Sequence, residues 1–137
     1  MSDVPSSSSS ATMNRPENAS SILKQDYEEF RRKAATLFPK VDQNLLLSIL
    51  YYESTYSDWE GNVLLKVVYP AGTNMEMKKE MIFQKYQRVP SIEQDKTARF
   101  KAIRIYIEDV DQLLREDPDI EYVTGSATLT PSEAYTA

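Results

Sequence analysis

Leu23, Tyr27, Phe30, Ala34 and Leu37 recur at steps of four and three along the first patterned stretch of the chain. That spacing puts them on one side of a helix and predicts a helix over 20–37. Glu28 stands four residues before Arg32, and Glu29 four before Lys33, the favourable order for helical ion pairs. Ser20 or Ser21 can cap the start, and Pro39 ends the run. A second amphipathic run follows over 42–53, with Asp42 as its cap and Leu45, Leu46, Ile49 and Leu50 on one side. The strand formers in ILYYESTY compete with helix there, so a short helix is expected to give way to extended chain near Glu53. DWEGN then reads as a turn.

Beyond the turn the period shortens. Over 62–70, NVLLKVVYP reads as a strand whose apolar run is interrupted by Lys66. Over 80–89, Ile82, Gln84 and Tyr86 alternate with Met81, Phe83 and Lys85, which predicts an antiparallel strand with one wet face. Over 98–107, Ile103, Ile105 and Ile107 would share a face of a third strand. Residues 108–117 read as a short helix with acids in its first turn, where the helix dipole favours them. Pro118 stops it, and 119–130 forms the last strand, the expected sheet edge, with Gly125 marking a bulge or a close approach.

The pattern predicts an α+β fold. One or two N-terminal helices pack on a mostly antiparallel sheet of about four strands, the first three in a meander, with one short helix before the last strand. Residues 1–18, Ser-rich and carrying Pro5 and Pro16, are expected to be disordered; 19–130 form a single domain; 131–137 form a frayed C-terminus.

Composition narrows the chemistry. The 137 residues are 41% hydrophobic and 27% charged, as in soluble globular proteins. Neither cysteine nor histidine occurs. That removes thiol nucleophiles, zinc sites built on Cys or His, and the commonest general base. The three glycines are isolated, so no phosphate-binding loop is present. Asp58 with Glu60, and Asp109 with Asp111, lack calcium-loop spacing. Neither a metal nor a cofactor is expected. No apolar run approaches the roughly 18 residues of a membrane span, and the start has no basic-then-apolar leader. The expected location is therefore the cytoplasm.

Glu53 is the one candidate for catalysis. VDQNLLLSILYYESTYS resembles the first motif of the soluble lytic transglycosylase family, a helix ending in Glu-Ser. The resemblance implies that Glu53 would be the acid/base acting on a glycan, with Ser54 its neighbour and Tyr56 the following aromatic. The family's downstream Gly-Leu-Met-Gln segment is absent, and Gly61 is followed by NVLLKVVYP. The plainer expectation is that Glu53 ends a helix and that the protein is not an enzyme.

Charge and aromatics point to binding. The net charge is −5, yet residues 78–104 hold eight Lys/Arg against three Asp/Glu, while 105–137 hold one against eight. Tyr51, Tyr52, Tyr56, Trp59 and Tyr69 crowd one stretch of the chain. Tyr and Trp suit interfaces, with a large apolar body and a polar tip. The expected function is a protein-interaction module (adaptor, assembly factor or chaperone-like) gripping an acidic or extended segment of a partner protein. The expected site is an aromatic-lined groove around Tyr52, Tyr56, Trp59 and Tyr69, with strand addition at a sheet edge. Arg99, Lys101 and Arg104 would steer the partner. Homodimerisation through the same aromatics is compatible with this. An RNA-binding sheet face with Tyr86, Phe100 and Tyr106 interleaved among basic residues is the alternative. The acidic isoelectric point of 4.8 weighs against nucleic acid.

Overall fold

The computed structural model describes residues 15–129. The predicted unstructured ends lie outside the described residues, except for 15–18, which lead into the first helix. Helix α1 spans Ala19–Leu37 and α2 spans Gln43–Thr55. Strand β1 (Val63–Val68), helix α3 (Met75–Tyr86), the short strand β2 (Ser91–Glu93) and β3 (Thr97–Ala102) follow. Helix α4 (Ile107–Glu116) and strand β4 (Tyr122–Ala127) complete the fold.

The helix starts follow local side-chain chemistry. Asp42 accepts a hydrogen bond from the Asn44 N–H at 3.3 Å and opens α2. Asn74 accepts from the Met77 N–H at 3.2 Å and opens α3. Each removes an orphan donor from a helix N-terminus. Helix α3 ends where Gln87 turns left-handed, at φ 60°.

The four strands form one antiparallel sheet in the order β2-β3-β1-β4. The fold is α+β, as the pattern predicts. From β1 onward the order β-α-β-β-α-β with β1 and β3 in the centre is the split β-α-β topology. It is not a meander, because α3 lies between β1 and β2. The predicted strand over 80–89 is helix instead. Met75, Lys78 and Ile82 turn inward at helical steps, and Met81 and Phe83 stay exposed. The predicted strand over 98–107 ends at Ala102; Ile105 is buried, Ile103 is exposed and Ile107 already begins α4.

One sheet face carries the core. Val63, Leu65 and Val67 of β1 point the same way as Ala98, Phe100 and Ala102 of β3 and Val123 of β4, and all are buried. Leu45, Leu46 and Ile49 of α2, Ile82 of α3, and Val110 and Leu113 of α4 belong to the same core. Gly125 lets β4 pass close to β1: a Cβ there would lie 1.9 Å from the Leu64 carbonyl oxygen. Strand β4 is a sheet edge, partly covered where Val123 exchanges backbone hydrogen bonds with Lys40 and Asp42.

Helix α1 is held loosely. Only Ala34 of its apolar stripe is buried, with Phe30 packed beside it, and Gln43 of α2 donates to the Arg31 carbonyl at 3.1 Å. Leu23 and Leu37 remain 71% and 69% exposed.

Candidate functional site

Glu53 is half-buried, and its carboxylate accepts a hydrogen bond from the Ile107 N–H at 2.9 Å. Ile107 is the first residue of α4. A carboxylate at that position satisfies an orphan donor and complements the positive end of the helix dipole. Glu53 therefore ties the end of α2 to the start of α4.

The aromatic residues separate into two places. Tyr52 stacks on Tyr56 at 5.7 Å between centroids and on Trp59 at 5.5 Å. Tyr106 meets Trp59 edge-on and donates its hydroxyl to the Trp59 carbonyl at 3.1 Å. The Trp59 indole N–H donates to the Thr128 carbonyl at 2.6 Å, and the residue is only 6% exposed. This stack closes one end of the core. A hollow of about 330 Å³ beside it is lined by Trp59, Tyr106 and Arg104, together with Asp58 and Glu60.

Tyr69 is not part of that stack. It follows the opposite end of β1 and is fully buried, its hydroxyl donating to Asp117 at 2.8 Å. The same carboxylate takes Lys78 of α3 at 2.9 Å, and Lys78 reaches Asp119 at 2.9 Å. Burial pushes the Tyr69 hydroxyl well above its ordinary pKa, and the hydrogen bond to Asp117 adds to it. This cluster locks α3, α4 and β1 together.

Arg99 and Lys101 are on the sheet face opposite the core. The alternate positions of β1 and β3, Leu64, Lys66, Val68, Thr97, Arg99 and Lys101, point there and are half-exposed. Lys66 sits directly opposite Arg99. The Tyr69 N–H donates to the Lys96 carbonyl at 2.8 Å. Counting from that bond makes Lys66 and Arg99 a non-hydrogen-bonded pair, the kind whose side chains stand closest. Arg88, beyond the end of α3, joins Arg99, Lys101 and Leu64 around a hollow of about 300 Å³. Among the described residues, Lys66, Arg88 and Arg99 make no ion pair or side-chain hydrogen bond. Among the described residues, no carboxylate lines that hollow.

The aromatics named for an RNA platform are elsewhere. Phe100 and Tyr86 pack together at 5.3 Å, Phe100 within the core, and Tyr106 belongs to the Trp59 stack. Neither β1 nor β3 places an aromatic ring on the open face. The residue missed from sequence is Lys66; Arg88 stands among the cations of the alternative RNA-binding face but not among the partner-binding residues. Lys66 reads as an interruption of an apolar run until the strand is given two distinct faces. The signal that carries it is the alternation of Leu64, Lys66 and Val68 with buried Val63, Leu65 and Val67.

Among the described residues, no group of three or more His, Cys, Asp or Glu is placed to hold a metal ion. Among the same residues, no helix is long and apolar enough to cross a membrane. No family model, curated protein or solved structure matches the chain.

Proposed function

We propose that the chain is a non-catalytic, cytoplasmic protein-interaction module that takes an acidic segment of a protein partner on the open face of its sheet. The observation that carries this reading is the pair Lys66 and Arg99, side by side with no anionic partner among the described residues, in a chain of net charge −5. Like charges placed directly opposite one another weaken a sheet. A partner carboxylate between them turns that cost into two charge-assisted hydrogen bonds. Leu64 and Val68 add apolar surface on the same face. The stacked Tyr52, Tyr56 and Trp59 serve the core in this reading, and Arg104 lies off the sheet face. Nucleic acid is the weaker occupant, because single strands are held by stacking on successive aromatic rings, and this face offers none from its two central strands and Tyr122 alone from β4 among the described residues.

The test is fluorescence anisotropy with a labelled Asp/Glu-rich peptide and a labelled oligouridine. The peptide is expected to bind the protein, to be weakened by salt, and to be lost in the Lys66→Glu/Arg99→Glu variant. Tighter binding of the oligouridine, with the same loss, would replace the protein partner by RNA. Binding of neither probe by the chain diluted until it is monomeric would sink the proposal.

A further inference from the structure

The N-terminal half of α1 is an acidic, partly apolar helix, exposed along its length, that meets the rest of the described domain at Tyr27, which lines a hollow with Phe38 and Tyr122. From Ser20 to Glu29 every residue is exposed, including Ile22, Leu23 and Tyr27. The segment from Glu17 to Glu29 carries Glu17, Asp26, Glu28 and Glu29 against Lys24 alone. A free helix of this length is marginal in water, since stability in proteins comes from packing an amphipathic face. On the same molecule, the open sheet face has the opposite charge and its own apolar residues. Within one copy Tyr27 reaches the β4 edge of the sheet, where it lines a hollow with Tyr122, but Lys66 and Arg99 lie inward of that edge on β1 and β3. Helix α1 is unbroken from Ala19 to Leu37 and is anchored through Ala34 to α2, on the core side of the sheet.

We infer that the acidic segment this face takes is the N-terminal half of α1 from a second copy of the chain. The inference rests on the open sheet face being the binding surface, as proposed above, and names its occupant. Each copy lends its helix to the other's sheet, so the exchange satisfies all four surfaces in a closed, two-fold symmetric dimer. Leu23 and Tyr27 meet Leu64 and Val68, while Asp26 and Glu29, on one flank of the stripe, meet Lys66 and Arg99. Because the pairing is between surface charges, salt weakens it.

Light scattering and sedimentation equilibrium on the full chain test this. The wild type is expected to be a dimer that dissociates as salt is raised. Asp26→Lys/Glu29→Lys and Lys66→Glu/Arg99→Glu are each expected to weaken the dimer by roughly tenfold or more. Combining all four reversals is expected to restore it, which a merely misfolded variant would not do. A wild type that stays monomeric well above micromolar concentration overturns the inference, as does a dimer indifferent to these reversals. The Asp26→Lys/Glu29→Lys variant separates the two readings, because its sheet face is vacant. If it binds the acidic peptide although the wild type is monomeric, the function stands and the dimer falls. If it dimerises no longer yet ignores the peptide, the proposed protein partner falls.

Discussion

The ammonium of Lys78 lies 2.9 Å from the carboxylate of Asp117, and both side chains are shut away from water, at 3% and 8% exposure. The pair joins the first turn of α3 to the end of α4, and the Tyr69 hydroxyl completes the carboxylate's partners. Removing one member of a buried pair strands the other. Lys78→Met is therefore expected to cost about 3–5 kcal/mol in urea unfolding. Replacing both, as Lys78→Met with Asp117→Leu, should recover much of that loss, because two buried charges are then exchanged for apolar packing. An equal loss in the single and double variants would show that the pair contributes through shape rather than charge.

Alkaline pH should unfold this protein through the same region. Tyr69 is raised by burial and by Asp117, and burial pushes Tyr86 up to about 12, aided by Glu116 and Asp109. For Lys78 burial works against the charge, but hydrogen bonds to Asp117 and Asp119 outweigh it and raise the pKa. The folded state thus keeps these protons to higher pH than the unfolded chain, where Tyr and Lys titrate near 10. Their contribution is complete below about pH 10 and is lost as pH rises through the folded values. Urea midpoints are expected to be level from neutral pH to about 9 and to fall steeply by about 11. The Tyr86 hydroxyl is buried without a partner among the described residues. Tyr86→Phe should then be neutral or stabilising at neutral pH and should make the alkaline fall shallower.

How far the sequence spoke depended on whether a residue's neighbours in space were also its neighbours in the chain. Strand β1 was readable, because Val63, Leu65 and Val67 announce a buried face by themselves. Helix α3 was not. One of its inward positions is Lys78, which counts as a core residue only once Asp117, far along the chain, is opposite it. Exposed Met81 and Phe83 then imitate the apolar half of a strand. Asn74 as a helix cap was the local signal that could have corrected the reading. The basic face was half legible. Arg99 and Lys101 stand out in a basic stretch; alternation gives Lys66 its face, but only strand register sets it opposite Arg99. Tyr69 was grouped with Trp59 by closeness in sequence, yet β1 carries the two to opposite ends of the domain.

Glu53 should behave as a helix cap. Glu53→Ala removes the acceptor for the Ile107 N–H and is expected to cost about 0.5–2 kcal/mol, with the loss centred on α4. Glu53→Gln keeps an oxygen at the same reach and should lose less, mainly the attraction of a negative charge to the helix dipole. Hydrogen exchange at the first turn of α4 would report the effect directly. Equal protection in wild type and Glu53→Ala would remove the capping role and bring the glutamate back as a candidate acid.

Lys66→Glu should raise the stability of the free protein and weaken binding together. In the free protein the substitution puts a carboxylate across the strand from Arg99, in the closely spaced kind of pair, and replaces repulsion by attraction. The expected gain is about 0.2–1 kcal/mol at low salt, shrinking as salt is raised. The same change removes one of the cations an acidic partner needs, so peptide affinity should fall. An anionic ligand bound between the two cations relieves that repulsion. If Lys66→Glu instead lowers the urea midpoint in the Asp26→Lys/Glu29→Lys background, where the sheet face is vacant, the two cations are not repelling one another in the free protein. The case for an anion between them would then lose its physical basis.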